Sequence, residues 1–237
     1  MTRGWLKIPV AALVVGAAGW ALVLDDDDEA TAAGATETLK MVAARTTTGW
    51  IDDRGSQDEL ERRVESGERV YITCGTAALL AQRMLAELGV ESRLITTLTR
   101  RPFNGVDDGH TMLEVRDGDS WVLYDLVNNR RAVDAAGRPV DALTQIRAGS
   151  DRRWSMIAGD KLVELRGATP LVRRVTEDLF LREGIEAWYD RVLGTLLIED
   201  DGRYVFHDRN RGRVESYSPA FTWVDAATWQ RKLEDSS

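Results

Sequence analysis

The residues best suited to chemistry in this sequence are its single cysteine, Cys74, and a histidine and an aspartate that follow it, His110 and Asp125. A cysteine nucleophile requires a thiolate, a histidine that takes up the thiol proton and later returns it, and a third group that fixes the tautomer of the imidazole. The other histidine, His207, lies in a run of charged residues typical of a solvated turn. We therefore expect Cys74, His110 and Asp125 to form a catalytic triad, with a buried, inert cysteine as the alternative.

Cys74 is predicted to lie at the N-terminus of a helix that runs to residue 88. Apolar residues recur after it at the spacing of one helical face. Thr73 suits the N-cap position, and Gly89 suits the C-terminal end. At a helix N-terminus, unpaired backbone amides and the positive end of the helix dipole favour an anion such as a thiolate. The predicted buried face consists of Ala77, Leu80, Ala81, Met84, Leu85 and Leu88.

His110 and Asp125 are predicted to lie on two short strands on either side of the Asp-Gly dipeptide at 117–118, which suits a two-residue hairpin turn. With these two residues in the turn, His110 lies directly opposite Asp125, and Glu114 lies opposite Trp121 as a packing pair. Side chains opposed on one face of a hairpin are about 5 Å apart. The carboxylate is then close enough to accept a hydrogen bond from the imidazole.

Four segments around these residues carry a resemblance to a known family. They are Cys-Gly-Thr-Ala-Ala at 74–78, Leu-Gly-Val-Glu-Ser-Arg-Leu-Ile at 88–95, Gly-His-Thr-Met-Leu-Glu-Val at 109–115 and Trp-Val-Leu-Tyr-Asp at 121–125. In this order they resemble the transglutaminase-like superfamily, which is related to papain. The resemblance implies an α+β fold with a papain/transglutaminase-like core, in which the nucleophile lies at a helix N-terminus packed on an antiparallel sheet. It also implies that Cys74, His110 and Asp125 are nucleophile, base and orienting carboxylate.

The sequence departs from the family pattern in two places. Many members have an aromatic residue after the histidine, where this chain has Thr111. The oxyanion hole is also incomplete in the sequence, since the backbone amide of Cys74 supplies only one donor. Trp50 and Gln57 are the upstream candidates for the second donor. The alternatives are that Trp50 is an ordinary core residue and that Gln57 is a surface residue.

The resemblance implies acyl transfer from a peptide or protein substrate through a thioester at Cys74. With water as the acceptor the protein is a peptidase or amidase, which is the leading expectation, and with an amine it is a transglutaminase. The alternative is a catalytically silent binding module that acts in envelope or surface-polymer assembly. A metal site at the three triad residues is a weaker alternative, because it offers only three ligands of mixed type.

The composition excludes several classes of partner and cofactor. The formal net charge is -8 with an isoelectric point near 5.0, and the basic residues form no dense patch, so no nucleic-acid partner is expected. The hydrophobic content of 43% excludes a fully disordered chain. The sequence contains no phosphate loop, dinucleotide fingerprint or calcium loop, so no cofactor is expected.

The N-terminal segment predicts contact with a membrane. Arg3 and Lys7 precede an uncharged apolar run at 8–24, and four aspartates follow it. This pattern predicts a single-pass signal anchor that places the catalytic domain outside the cytoplasm. Cleavage of a signal peptide near Ala30 is the alternative, and it would release the protein into the periplasm or the medium.

We expect four regions along the chain: a signal anchor or signal peptide at 1–24, an acidic, small-residue linker at 25–36, the catalytic core at 37–149 and a C-terminal α/β extension at 150–237 without an assigned role. The sequence carries no signal for the oligomeric state. The remaining patterns predict helices at 37–44, 57–68, 177–193 and 224–233, strands at 90–98, 110–116 and 121–125, a short apolar approach to Cys74 at 70–72, loops at 99–109 and 128–139, and a second hairpin at 196–207.

Overall fold

The computed structural model describes residues 31–48, 53, 55–98, 109–159, 189, 193, 195–200, 203–207, 212 and 221–235. Within these residues the protein is mixed α+β, which confirms the expected class. The helices are α1 (31–45), α2 (Gln57–Glu65), α3 (Cys74–Glu87), α4 (Ala142–Arg147) and α5 (Ala226–Asp235). The strands are β1 (Thr46–Thr48), β2 (Val70–Ile72), β3 (Ser92–Leu98), β4 (Gly109–Asp117), β5 (Ser120–Asp125), β6 (Arg130–Val133), β7 (Arg153–Met156), β8 (Thr195–Asp200), β9 (Arg203–Phe206) and β10 (Phe221–Trp223).

Eight of the strands form one sheet in the order β10-β9-β8-β3-β4-β5-β6-β7. Strands β3 to β7 are antiparallel neighbours in chain order, and the β8–β9 hairpin joins them by pairing β8 with β3. The outer pair β9–β10 is parallel. Strands β1 and β2 form a separate parallel pair, and β2 leads directly into α3.

Two hydrophobic clusters cover the two faces of the sheet. Successive side chains of a strand point to opposite faces, and on β4 Leu113 belongs to the first cluster whereas Met112 belongs to the second. The first cluster contains the buried faces of α1, α2 and α3 together with β2. The second contains residues of α4 and β8, and it also contains Tyr189. Helix α3 packs against β3 and β4, which brings its N-terminus to the sheet.

Helix α3 forms largely as its sequence pattern predicts. It begins at Cys74, and the side chain of Thr73 accepts a hydrogen bond from the backbone N–H of Thr76 as the N-cap. Five of the six predicted inward residues are buried. The expectation for Leu88 is wrong, because the helix ends one residue earlier and Leu88, at the C-cap, is 41% exposed. Gly89 follows with φ +74°, the left-handed conformation that suits glycine after a helix.

Residues 31–45 form a helix instead of a linker followed by a short helix. The described part of the predicted linker, 31–36, lies in α1 together with the predicted helix at 37–44. Alanine-rich sequence has a high helix propensity, and apolar residues at helical spacing give α1 a buried face. Its buried residues Ala35, Leu39, Val42 and Ala43 belong to the first hydrophobic cluster. The predicted anchor at 1–24 lies outside the described residues, and none of the described helices is long and apolar enough to cross a membrane.

The β4–β5 hairpin forms, but its register differs from the prediction by two residues. Asp117 pairs with Ser120, so the turn residues are Gly118 and Asp119 instead of Asp117 and Gly118. Gly118 has φ +57°, whereas Asp119 is not among the residues with positive φ. This matches a type II′ turn, which places glycine first, and not the type I′ turn that Asp-Gly suggests.

The new register corrects the predicted pairing of Glu114 with Trp121, because Glu114 lies opposite Leu123. The Glu114 side chain is 1% exposed. It accepts hydrogen bonds from Arg93 Nε on β3, at 2.6 Å, and from the backbone N–H of Ala142 at the start of α4. The Arg93 guanidinium also lies 4.2 Å from the ring centre of Trp121. This buried ion pair therefore ties β3, β4 and α4 together.

Replacing Glu114 by alanine is expected to lower the free energy of unfolding by about 3–5 kcal/mol, because it leaves the Arg93 charge and the Ala142 amide without their partner. Urea denaturation measures the change. As a control, Glu37→Ala removes an exposed ion pair with Lys40 and should cost less than about 1 kcal/mol. Equal losses in the two variants would contradict a structural role for the buried pair.

The remaining patterns have mixed outcomes. The predicted helix at 57–68 corresponds to α2, which ends at Glu65 and is amphipathic, since it buries Leu60 and Val64. The predicted loop at 128–139 is wrong in part, because it contains β6, a strand too short to leave a periodic signal. The second hairpin is confirmed by β8 and β9, and the last helix by α5. Most of the predicted loop at 99–109 and of the predicted helix at 177–193 lies outside the described residues.

Candidate active site

Cys74 is the first residue of α3 and carries a free, partly buried thiol. Its backbone N–H has no acceptor within the helix, because the first amides of a helix lack intrahelical partners. On the sheet side, the Cα of Gly75 is close to Thr111, since a Cβ placed on Gly75 would lie 4.0 Å from the Thr111 hydroxyl oxygen. The N-terminus of α3 therefore lies beside the start of β4, where His110 is found.

His110 and Asp125 form a hydrogen bond in the interior of the protein. His110 Nε2 lies 2.8 Å from Asp125 Oδ2, and the two side chains are 3% and 0% exposed. The observed register, extended by one residue, sets Asp125 opposite Met112, so His110 is its diagonal neighbour and not its direct partner. A shift of two residues keeps every side chain on its face, and the predicted contact therefore forms although the predicted pairing is wrong.

The carboxylate of Asp125 accepts four hydrogen bonds. Oδ2 accepts from His110 Nε2, from Asn128 Nδ2 at 2.7 Å and from the Tyr189 hydroxyl at 2.7 Å, and Oδ1 accepts from the Asn128 backbone N–H at 3.3 Å. Asp125 and the three residues that bond it are all buried. A buried carboxylate with this many donors is held in one orientation and compensated for its lost hydration.

The electrostatics of the pair favour an imidazolium next to a carboxylate. Burial opposes the charge on His110, but the Asp125 carboxylate, which accepts a hydrogen bond from the ring, and the nearby Cys74 thiolate raise the pKa of the imidazole well above its usual range. Burial also opposes the charge on Asp125. His110, followed by the hydrogen bonds from Asn128 and Tyr189, nevertheless lowers the pKa of this carboxyl group.

The tautomer of His110 is set by its partners. Because Nε2 is hydrogen-bonded to Asp125, Nδ1 is the ring nitrogen that can exchange a proton with the Cys74 thiol. An imidazole fixed in this way can take the thiol proton through Nδ1 and return it through the same atom. The three residues thus have the relative order that nucleophilic cysteine chemistry requires.

Sequence reasoning missed two residues of this site. Asn128 follows Asp125 in a turn, and the tendency of aspartate to bond backbone groups shortly after it is a signal that could have found this contact. Tyr189 lies 64 residues after Asp125. No spacing rule connects residues so far apart, so Tyr189 could be found only from the fold.

The two candidates for the second oxyanion donor have different outcomes. Trp50 lies outside the described residues. Gln57 is the first residue of α2, which packs against β2 and α3, the elements on either side of Cys74. Its Oε1 is buried, and among the described residues it has no hydrogen-bond partner. No hydrogen bond links Gln57 to Cys74 in that part of the chain, so the assignment of the second donor stays a prediction.

His207, the other histidine, is exposed. Its Nδ1 lies 2.9 Å from the backbone carbonyl oxygen of Val224, as expected for a residue near a turn. In the described ranges, no group of three or more histidine, cysteine, aspartate or glutamate side chains is placed to bind a metal ion. No protein-family model, curated protein or solved structure matches this chain.

Proposed function

We propose that this protein is a cysteine enzyme of the transglutaminase-like type, with a papain-like core, that attacks an amide bond through Cys74. The observation that carries the proposal is the position of His110, which is buried, hydrogen-bonded to Asp125 at 2.8 Å and close enough to Cys74 for the thiolate to act on its charge. The location of Cys74 at the N-terminus of α3 adds support, because backbone amides there favour an anion.

The reaction begins when His110 takes the thiol proton. The sulfur of Cys74 then attacks the amide carbonyl carbon, and the backbone amide of Cys74 donates a hydrogen bond to the oxygen that becomes negatively charged. When the tetrahedral species collapses, the C–N bond breaks, its electron pair stays on nitrogen, and His110 protonates the departing amine. The acyl group remains on Cys74 as a thioester.

The second half of the reaction releases the acyl group. His110 removes a proton from water as the oxygen attacks the thioester carbon, the C–S bond breaks, and the Cys74 thiolate leaves. We assign the chain to this hydrolytic class, as a peptidase or amidase. An amine acceptor would use the same steps and make the protein a transglutaminase. A peptide screen by mass spectrometry should distinguish the two reactions, because hydrolysis adds the mass of water to the substrate, whereas transamidation cross-links two substrates and releases ammonia.

The proposal is tested by the pH dependence of iodoacetamide alkylation of Cys74 in the full-length protein. We expect alkylation well below pH 8 in the wild type. In His110→Ala we expect it only near the ordinary thiol value of about 8.5, because the thiolate has lost its imidazolium partner. His207→Ala is the matched control, since it removes an exposed imidazole and should leave the profile unchanged.

An ordinary alkylation profile in the wild type would contradict the enzyme proposal. It would favour the alternative, a binding module that uses the same fold without thiol chemistry. Peptide binding without turnover in the wild type, unchanged in Cys74→Ala, would point in the same direction.

A further inference from the structure

Asp125, the orienting carboxylate, accepts a hydrogen bond from Tyr189 in the C-terminal part of the chain. Among the donors to Asp125, His110 and Asn128 lie within fifteen residues of it in sequence, whereas Tyr189 lies 64 residues away. The Tyr189 hydroxyl donates to Oδ2 at 2.7 Å, the same oxygen that faces His110. This phenol therefore limits the rotation of the carboxylate at the atom that orients the imidazole.

The ring of Tyr189 is itself fixed. It is fully buried and stacks on Trp154, with ring centres 4.1 Å apart and an angle of 17° between the planes. Trp154 belongs to β7, which pairs with β6, and β6 begins at Arg130, the register partner of Asp125. The Tyr189 ring thus packs on the same continuous sheet that carries Asp125. The distance between the hydroxyl and the carboxylate is therefore set by the packing of the ring on β7.

A turn reinforces this connection. Asn129, which is buried and has φ 55°, a conformation that asparagine tolerates, accepts a hydrogen bond from the backbone N–H of Ala158. Its Nδ2 donates to the carbonyl oxygens of Ala158 and Gly159. The neighbouring Asn128 bonds Asp125. One turn therefore holds both the carboxylate and the segment that follows β7.

We propose that Tyr189 is a positioning residue for Asp125, so that the part of the chain after residue 150 completes the active site and sets the reactivity of Cys74. This inference rests on the proposed function. Tyr189 acts through its hydrogen bond to Asp125, by holding the carboxylate in the orientation that stabilises the His110 imidazolium. The expected consequence of losing the hydroxyl is a less stable imidazolium and a thiolate that forms at higher pH.

Within the described ranges, the titratable side chains that bond Asp125 are those of His110 and Tyr189. His110 faces it from β4, and Cys74 reaches it only through His110. Tyr189 and Asn128 are the other side chains that bond it. Arg130, its register partner on β6, forms no ion pair with it in the described part of the chain. A change at the Tyr189 hydroxyl therefore reaches the thiol through the carboxylate and the imidazole.

Tyr189→Phe in the full-length protein tests the inference, because it removes the hydroxyl and retains the stacked ring. We expect the midpoint of Cys74 alkylation to move up by about half to one pH unit, the size expected for one lost hydrogen bond to a charged group. Tyr124→Phe is the matched control. It removes a phenol that lies near Arg131, and its side chain packs with the first cluster on the other face of β5. Its alkylation midpoint should equal that of the wild type.

The outcomes separate this inference from the proposed function. A low midpoint in the wild type together with an unchanged or lower midpoint in Tyr189→Phe overturns the positioning role and leaves the enzyme proposal standing. An ordinary midpoint in the wild type overturns the enzyme proposal itself. Trp154→Phe provides a second variant, because it loosens the Tyr189 ring without touching Asp125 and should give a smaller shift in the same direction.

Discussion

Replacing Cys74 by alanine is expected to abolish acyl transfer and to leave the fold intact. Without the thiol no thioester can form, so we expect kcat to fall by about four orders of magnitude or more. The side chain is small and only partly buried, and its loss should lower the free energy of unfolding by about 1 kcal/mol or less. Turnover of a cleaved peptide and urea denaturation measure the two effects separately.

Cys74→Ser is the matched control for the size of this side chain. A hydroxyl is far less acidic than a thiol, so the serine variant should stay inactive at neutral pH although it fills nearly the same volume. Unchanged turnover in Cys74→Ala would place the nucleophile elsewhere. A large loss of stability in both variants would instead assign Cys74 a structural role.

Replacing Asp125 by asparagine is expected to damage both activity and stability. In the wild type, Oδ2 alone accepts hydrogen bonds from three residues. Asparagine would place an amide nitrogen at the position of Oδ1 or Oδ2, and this nitrogen cannot accept the hydrogen bonds that the carboxylate oxygen accepts there. By analogy with catalytic triads in general, we expect kcat to fall about 10³–10⁴-fold as the imidazole loses its tautomer and orientation. The unsatisfied donors should cost about 2–4 kcal/mol in urea denaturation.

The cost of Asp125→Asn should depend on pH. The pKa of Asp125 is lowered in the folded protein, so its contribution to stability is present above its unfolded value, about 4, and is lost as the pH falls through the folded pKa. The pKa of His110 is raised, so its contribution is present below about 6.5 and is lost as the pH rises through the folded pKa. The stability difference from the wild type should therefore be largest between about pH 4 and 6.5. A difference that is constant with pH would contradict a charged His110–Asp125 pair.

Local patterns were sufficient to predict the helix that carries the candidate nucleophile. Thr73 caps α3 and the apolar positions after Cys74 are buried, because both features depend only on residues within a few turns of each other. The same patterns did not predict how far α1 extends. Small residues at 31–36 are equally suited to a linker or a helix, and only the packing of Ala35 and Leu39 against the core decides between them.

The hairpin shows how a wrong register can still give a correct contact. Gly118 occupies the first turn position instead of the second, which moves the pairing by two residues. The alternation of side chains has a period of two, so His110 and Asp125 remained on one face and formed their hydrogen bond diagonally. A slip of one residue would have separated them.

Long-range packing determined what the sequence could not. Tyr189 bonds Asp125, and the β7 residue Trp154 stacks on Tyr189, and both contacts depend on tertiary structure. No local periodicity marks either residue as part of the site. Strand β6 was interpreted as part of a loop because only its pairing with β5 and β7 makes it a strand. Side-chain chemistry therefore indicated the candidate triad, whereas the network that orients it depends on the assembled sheet.

The continuity of the sheet across residue 150 has a consequence for self-association. Strand β8 covers the outer side of β3 by pairing at Thr96, Thr97 and Leu98, and β7 covers β6 along its whole length. A chain cut at residue 150 would leave β3 and β6 as edge strands, each with a row of unpaired backbone N–H and C=O groups. Such edges template pairing with other chains, so the C-terminal strands also protect the sheet from aggregation.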